Sequence, residues 1–127
     1  MISEKYELDW TRTHDNHHHQ IIAVLTSLSI EEIISASPKS NKWHGRDYVK
    51  TFYKLGFNTS ERFVKFDPST DKPCMIRAVE IDNERSGWYS WAYYDNCIVD
   101  DGVQYSLGLW TRYFPQLKIT SMLQVWI

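Results

Sequence analysis

The spacing of apolar residues in the first half of the chain predicts helices. A first helix is expected to begin near Asp15 and Asn16, because aspartate and asparagine are among the residue types that cap helix N-termini best. The apolar residues that follow recur at intervals of three and four positions, as one buried helix face requires. These residues are Ile21, Ile22, Val24, Leu25 and Leu28.

Two further helices are expected before the pattern changes. Ser29 and Glu32 have the spacing of a capping box, which predicts a second, short helix that runs to Ala36. A third helix is predicted over residues 45–55. Gly56 is suited to end it, because glycine readily adopts the left-handed conformation that closes many helices.

Beyond Gly56 apolar and polar residues alternate, which predicts strands. Strands are expected at 62–66, 75–81, 88–94, 97–99 and 118–126, whereas 104–110 fits no single element. Asp95 and Asn96 tolerate positive φ and predict a tight hairpin between two of the strands. Helices followed by mostly antiparallel strands predict one α+β domain over residues 1–127, with N-terminal helices packed on the sheet.

Composition and charge narrow the classes of partner. The formal net charge of −2 gives no general attraction to nucleic acid, so no nucleic-acid partner is expected. No apolar run approaches membrane-spanning length, so no association with a membrane is expected. No nucleotide-binding glycine motif is present, and we expect no cofactor. The two cysteines, Cys74 and Cys97, lack the spacing of a metal site and are typical of reduced thiols in a cytoplasmic protein.

Three short strings of the sequence resemble a known family. They are LTSLSIEE at 25–32, LGF at 55–57 and SWAYYDNCIVDD at 90–101. Together they resemble the papain-like cysteine peptidases, and most closely the small domains related to bacteriocin-leader-processing peptidases. The resemblance spans about residues 14 to 101, and it implies a papain-like arrangement of the helices and the sheet.

The same resemblance implies that the catalytic residues are missing. The position of the family's nucleophilic cysteine falls on His17, and that of its catalytic histidine falls on Ser90. The acid that orients the histidine corresponds to Asp101, with Asp100 as the alternative. A thiol peptidase needs a thiolate at a helix N-terminus paired with an imidazole. The resemblance therefore implies a papain-like domain without peptidase chemistry.

A cluster of histidines precedes and opens the first helix. His14, His17 and His18 are candidate metal ligands, but neighbouring positions on a helix point about 100° apart, so the cluster cannot supply three ligands to one ion. No metal site is predicted. As an alternative function, His17 with Ser90 and a nearby aspartate could form the histidine-centred site of a hydrolase or transferase.

The strand at 88–94 is rich in aromatic residues. Alternation places Tyr89, Trp91 and Tyr93 on one face and Trp88 on the other, so both faces carry large rings. Exposed aromatic rings are typical of protein-binding surfaces, and these four residues are predicted to bind a partner. The alternative is a strand that is covered on both sides.

These observations lead to one preferred hypothesis. We expect a non-catalytic papain-like accessory protein that acts by binding another protein. A small chain rich in aromatic residues, Lys, Asn, Ile and Ser is typical of bacteriophage accessory proteins, which suggests a viral protein that modulates a factor in the host cytoplasm. A histidine-centred enzyme and a metal-binding protein remain the alternatives.

Overall fold

The computed structural model describes residues 8, 16–83, 85 and 87–127. Within them the helices are α1 (His17–Thr26), α2 (Ile30–Ala36), α3 (Gly45–Lys54) and α4 (Leu107–Tyr113). The strands are β1 (Asn58–Thr59), β2 (Val64–Lys65), β3 (Cys74–Glu80), β4 (Tyr89–Tyr94), β5 (Cys97–Asp100), β6 (Val103–Ser106) and β7 (Leu117–Trp126). Three helices precede a sheet of antiparallel strand pairs, which confirms the predicted α+β fold class.

Side-chain caps fix the starts of the first two helices, as predicted. Asn16 accepts a hydrogen bond from the backbone N–H of His19 at 3.2 Å, and Ser29 accepts one from the N–H of Glu32 at 3.2 Å. These bonds satisfy donors that the first turn of a helix leaves without a partner. Gly56 follows α3 with a φ of 89°, the left-handed conformation expected of a residue that ends a helix.

The strand order places the last strand of the chain inside the sheet, between β1 and β3. It runs β1-β7-β3-β4-β5-β6, and β2 also pairs with β7. Asp95 and Asn96 have φ values of 49° and 64°, so the predicted tight hairpin joins β4 to β5. The region 104–110 divides between β6 and α4, because Ser106 caps α4 through a hydrogen bond from the N–H of Leu109 at 3.2 Å.

Each face of the sheet carries its own hydrophobic core. The helix-face core lies under α1, α2 and α3 and contains Ile21, Ile22, Ala23, Val24, Leu25, Ile33, Tyr48, Phe52, Phe57, Met75, Ala92, Val99, Leu123 and Val125. The α4-face core lies on the opposite side and contains Cys74, Ile76, Ala78, Trp91, Tyr93, Ile98, Trp110 and Met122. Consecutive strand residues alternate between the two cores, as the pleat of a sheet requires. Among the described residues, no helix is long and apolar enough to cross a membrane.

Candidate functional site

A cleft of about 590 Å³ opens where the start of α1 meets β3 and β4. Its aromatic walls are formed by Trp43, Tyr48, Trp88, Tyr89 and Trp91. The polar and charged side chains on its surface include His17, His18, Lys42, Arg77 and Asp100. The cleft therefore combines ring surfaces with a small number of charged groups, a composition typical of binding sites.

A hydrogen bond joins His17 and Ser90, two residues that line the cleft. Nε2 of His17 lies within hydrogen-bonding distance of the main-chain carbonyl oxygen of Ser90. A carbonyl oxygen can only accept, so Nε2 must carry the proton and act as the donor. The two positions that the resemblance aligns with a catalytic pair are thus in contact. The contact runs to the backbone of Ser90 and leaves the hydroxyl group out of it.

Asp101 is engaged away from the histidines. Its Oδ1 accepts a hydrogen bond of 3.0 Å from Nε2 of Gln20, a buried side chain of α1. Asp101 also lies in the turn after β5, where its φ is 48°. Among the described residues, the hydrogen bonds therefore do not connect a serine hydroxyl, a histidine and a carboxylate in series, which the alternative enzyme hypothesis needs.

Neither cysteine lies in the cleft. Cys74 is completely buried in the α4-face core, and burial raises the pKa of its thiol well above the usual range. Cys97 lies beside the β4–β5 turn, at the opposite end of β4 from Ser90, and burial raises the pKa of its thiol too. Because the thiolate is the nucleophilic form, neither residue is poised for thiol chemistry.

His18 forms a small cluster with Tyr48 and Trp43. The hydroxyl of Tyr48 is hydrogen bonded to Nδ1 of His18, and the ring of Trp43 stacks on that of His18 with centroids 4.9 Å apart. Burial is the main cause that lowers the pKa of His18 and raises the pKa of Tyr48, so both side chains are neutral at pH 7. The three side chains form one wall of the cleft.

The two metal candidates that the structure describes, His17 and His18, are engaged in hydrogen bonds. His17 and His18 each use a ring nitrogen in a hydrogen bond, and His14 lies outside the described residues. In the part of the chain that the structure describes, no group of three or more His, Cys, Asp or Glu side chains could hold a metal ion.

Arg77 is a charged residue of the cleft that the sequence patterns did not single out. It lies opposite Ser90 in the pairing of β3 with β4, and its guanidinium carbon is 3.7 Å from the centre of the Phe63 ring. A signal was available in the sequence. Arg77 shares its strand face with Met75 and Val79, so alternation places a charged side chain on a face that is otherwise buried.

The predicted aromatic binding surface needs a correction. Trp88 and Tyr89 are 56% and 41% exposed, but Trp91 is only 7% exposed and Tyr93 is completely buried. The hydroxyl of Tyr93 donates to the carbonyl of Pro68 at 2.7 Å, and its ring meets Phe66. Tyr93 belongs to the α4-face core because α4 and the 66–73 loop cover that side of β4, which the sequence pattern could not show. Of the four aromatic residues predicted to bind a partner, Trp88 and Tyr89 are the two that are exposed.

No protein-family model matches this chain, and neither does any curated protein. The residues of the cleft themselves indicate what it can bind. It offers aromatic rings, two histidines that are held in hydrogen bonds, and an arginine. Among the described residues of its lining, no serine hydroxyl or cysteine thiol is hydrogen bonded to a histidine.

Proposed function

We propose that this chain is a non-catalytic protein of papain-like architecture that binds another protein through its cleft and the adjacent rings of Trp88 and Tyr89. The observation that carries this proposal is the hydrogen bond between His17 and the backbone of Ser90. By the resemblance, His17 and Ser90 correspond to the thiol and the imidazole of a papain-like peptidase, and this hydrogen bond joins the two positions. As a bacteriophage accessory protein, the origin its composition suggests, the chain would meet its partner in the host cytoplasm.

The exposed rings are held in place before any partner arrives. The ring of Tyr89 stacks on that of Trp91 at an interplanar angle of 17°, and its hydroxyl donates to Glu80 at 2.8 Å. The ring of Trp88 lies 5.5 Å from the guanidinium carbon of Arg77. Side chains that are already ordered lose little conformational entropy on binding, which favours affinity. Trp and Tyr are also among the residue types enriched at energetic hot spots.

The alternative of a histidine-centred hydrolase has less support. General-base catalysis by His17 would need a hydroxyl proton within reach of a basic ring nitrogen. Nε2 of His17 instead donates its own proton to a carbonyl oxygen, which has no proton to give. Turnover of an ester or peptide substrate that disappears in His17→Ala would replace the binding proposal with this alternative.

The binding proposal is tested by affinity capture with three purified proteins: wild type, Trp88→Ala and Tyr53→Ala. Tyr53 is 76% exposed on α3 and does not line the cleft, so it controls for the loss of an exposed ring. We expect wild type and Tyr53→Ala to retain the same partner. Removal of a hot-spot tryptophan costs about 2 kcal/mol or more, so Trp88→Ala should bind it roughly thirtyfold more weakly.

Two results would contradict the proposal. One is that the wild-type protein retains no partner under conditions where it is folded. The other is that Trp88→Ala retains the partner as well as Tyr53→Ala does. Trp91→Ala is a poor test of binding, because that side chain is buried and its removal would destabilise the fold.

A further inference from the structure

We infer, resting on the function proposed above, that the cleft receives a carboxylate-bearing segment of the partner protein and that Arg77 binds the carboxylate. The segment would be an extended acidic peptide with an apolar side chain beside its Asp or Glu. Arg77 is thereby assigned as a specificity-determining residue, and the partner is a protein that presents an acidic segment.

The guanidinium of Arg77 lies among rings. Its carbon atom is 3.7 Å from the ring centre of Phe63, 5.5 Å from that of Trp88 and 5.9 Å from that of Tyr48. Among the described residues, no acidic side chain forms an ion pair with it, and no acceptor takes a hydrogen bond from its side chain. The structure therefore presents a partly desolvated cation whose electrostatic partner is missing from the described part of the chain.

The stacking geometry leaves the hydrogen-bond donors of Arg77 available. Contact with Phe63 uses the flat face of the guanidinium, whereas its N–H groups point outward in the plane of the group. A carboxylate can accept two parallel hydrogen bonds from that edge. Because burial has already removed part of the water around Arg77, an incoming anion displaces less water and gains more from the charge. The same burial lowers the pKa of Arg77 from its usual value, although an arginine stays charged at neutral pH.

The charges of the cleft fit one carboxylate better than a phosphate. Arg77 and Lys42 are the arginine and lysine side chains that line the cleft, and Asp100 adds one negative formal charge. The sum of these three formal charges is about +1, which matches a single carboxylate. A phosphate dianion is normally held by several cations or a row of backbone N–H groups.

The aromatic walls explain why the acidic residue should have an apolar neighbour. Trp43, Trp88 and Tyr89 line the same cleft as Arg77. A peptide that carries only charged side chains would leave these rings unused, whereas a neighbouring Phe or Leu can pack against them. We therefore expect a motif that combines one acidic and one apolar residue.

The test uses capped pentapeptides as probes. One contains a Phe-Glu pair, a second replaces the Glu with Gln, and a third replaces it with phosphoserine. Binding is followed by tryptophan fluorescence, since Trp43 and Trp88 lie in the cleft. We expect the Glu peptide to bind the wild-type protein about tenfold to a hundredfold more tightly than the Gln peptide, the range for a hydrogen bond to a charged group.

Three variants separate the role of Arg77 from general charge effects. Arg77→Met should reduce the affinity for the Glu peptide to that for the Gln peptide. Arg77→Lys keeps the charge but loses the two-pronged geometry, and it should weaken binding by about tenfold. Arg112→Met removes an exposed cation on α4, on the other side of the sheet, and should bind as wild type does. If Arg77→Met does not fold, Arg77→Lys and the peptide comparison still decide the question.

Equal affinity for the Glu and Gln peptides would overturn the inference, and so would unchanged binding by a folded Arg77→Met. Tighter binding of the phosphoserine peptide would also overturn it and would favour a phosphorylated partner. Failure of the proposed binding function gives a different result from failure of the carboxylate assignment. If the function fails although a partner is captured, Trp88→Ala keeps that partner. If Trp88→Ala loses the partner while Arg77→Met and Arg77→Lys keep it, the binding function stands and only the assignment of the carboxylate falls.

Discussion

The two faces of the sheet are covered in different ways. The helix-face core is mostly aliphatic and is covered by three helices, and α1 alone buries seven of its ten residues. The α4-face core is rich in rings and is covered by the 66–73 loop and by α4, a helix of seven residues of which only Trp110 is buried. Burial on the first face is shared among many side chains of moderate size. On the second face it is concentrated in a few large ones, so single substitutions there should have larger consequences.

The largest expected effect is that of Trp110→Ala. The ring of Trp110 is 1% exposed and meets the rings of Trp91 and Phe114 at centroid distances of 5.2 and 5.4 Å. Its removal leaves a large cavity under α4 and should lower the free energy of unfolding by about 3–5 kcal/mol. Chemical denaturation of both proteins at one pH measures the difference.

Thr111→Ala is the matched control on the same helix. Thr111 is exposed, and its substitution should change the free energy of unfolding by no more than about 0.5 kcal/mol. Amide exchange should also show that Trp110→Ala loses protection in α4 before it loses protection in α1. A loss below about 1 kcal/mol for Trp110→Ala would mean that α4 does not depend on this ring, and the contrast between the faces would fail.

The same contrast explains how much of the fold the sequence could predict. The three helices on the helix face could be predicted because α1, α2 and α3 carry local signals in the sequence, namely their caps and a regular apolar spacing. The helix on the α4 face could not be predicted, because α4 begins directly after β6 and contains Gly108, a weak helix former. β1 has two residues and exists through its pairing with β7, so no local pattern revealed it, whereas the two residues of β2 lie within the strand predicted at 62–66.

The cleft was predictable only in part. Contact between His17 and Ser90 was expected from the resemblance, and their hydrogen bond joins residues 73 positions apart. Trp43 and Arg77 come from a loop and a distant strand, and nothing in their neighbours along the chain links them to His17. The depth at which Tyr93 is buried depends on α4 and the 66–73 loop, which local alternation does not describe. Tertiary packing thus decides which rings are exposed.

A smaller effect is expected at the β4–β5 hairpin, which contributes to both cores. Asn96 has a φ of 64°. Asparagine tolerates this left-handed conformation because its short polar side chain can form local hydrogen bonds, whereas alanine has a Cβ but no such polar group. Asn96→Ala should lower the free energy of unfolding by about 1 kcal/mol. Because the hairpin sends Tyr93 to one face and Ala92 to the other, the loss should be shared by α1 and α4 in amide exchange.

Asn96→Gly provides the comparison at the same position. Glycine adopts positive φ without strain, so this variant should stay within about 0.5 kcal/mol of the wild-type protein. If Asn96→Ala and Asn96→Gly are equally stable, the left-handed conformation at this position does not limit stability. A loss of protection confined to α4 would show that the hairpin supports one face more than the other.

The smallest expected effect is a dependence of stability on pH that arises on the helix face. Burial, with the charges of His17 and His19, lowers the pKa of His18 from its ordinary value of 6.5. Above about pH 6.5 the residue is neutral in both the folded and the unfolded protein, so it does not affect their balance. As the pH falls below 6.5, the unfolded chain takes up the proton first. The free energy of unfolding therefore falls until the folded protein is protonated as well.

His18→Gln removes this titration, so the decline in stability below pH 6.5 should become shallower in denaturation measured across a pH series. Tyr48→Phe is the matched control, because it removes the hydroxyl bonded to His18 but keeps the titrating ring. That variant should be less stable at every pH and keep the wild-type slope, since desolvation and the neighbouring histidines are the causes of the shift. A slope that survives in His18→Gln would assign the dependence to another group. A slope lost in Tyr48→Phe would mean that the hydroxyl, rather than burial, keeps His18 neutral.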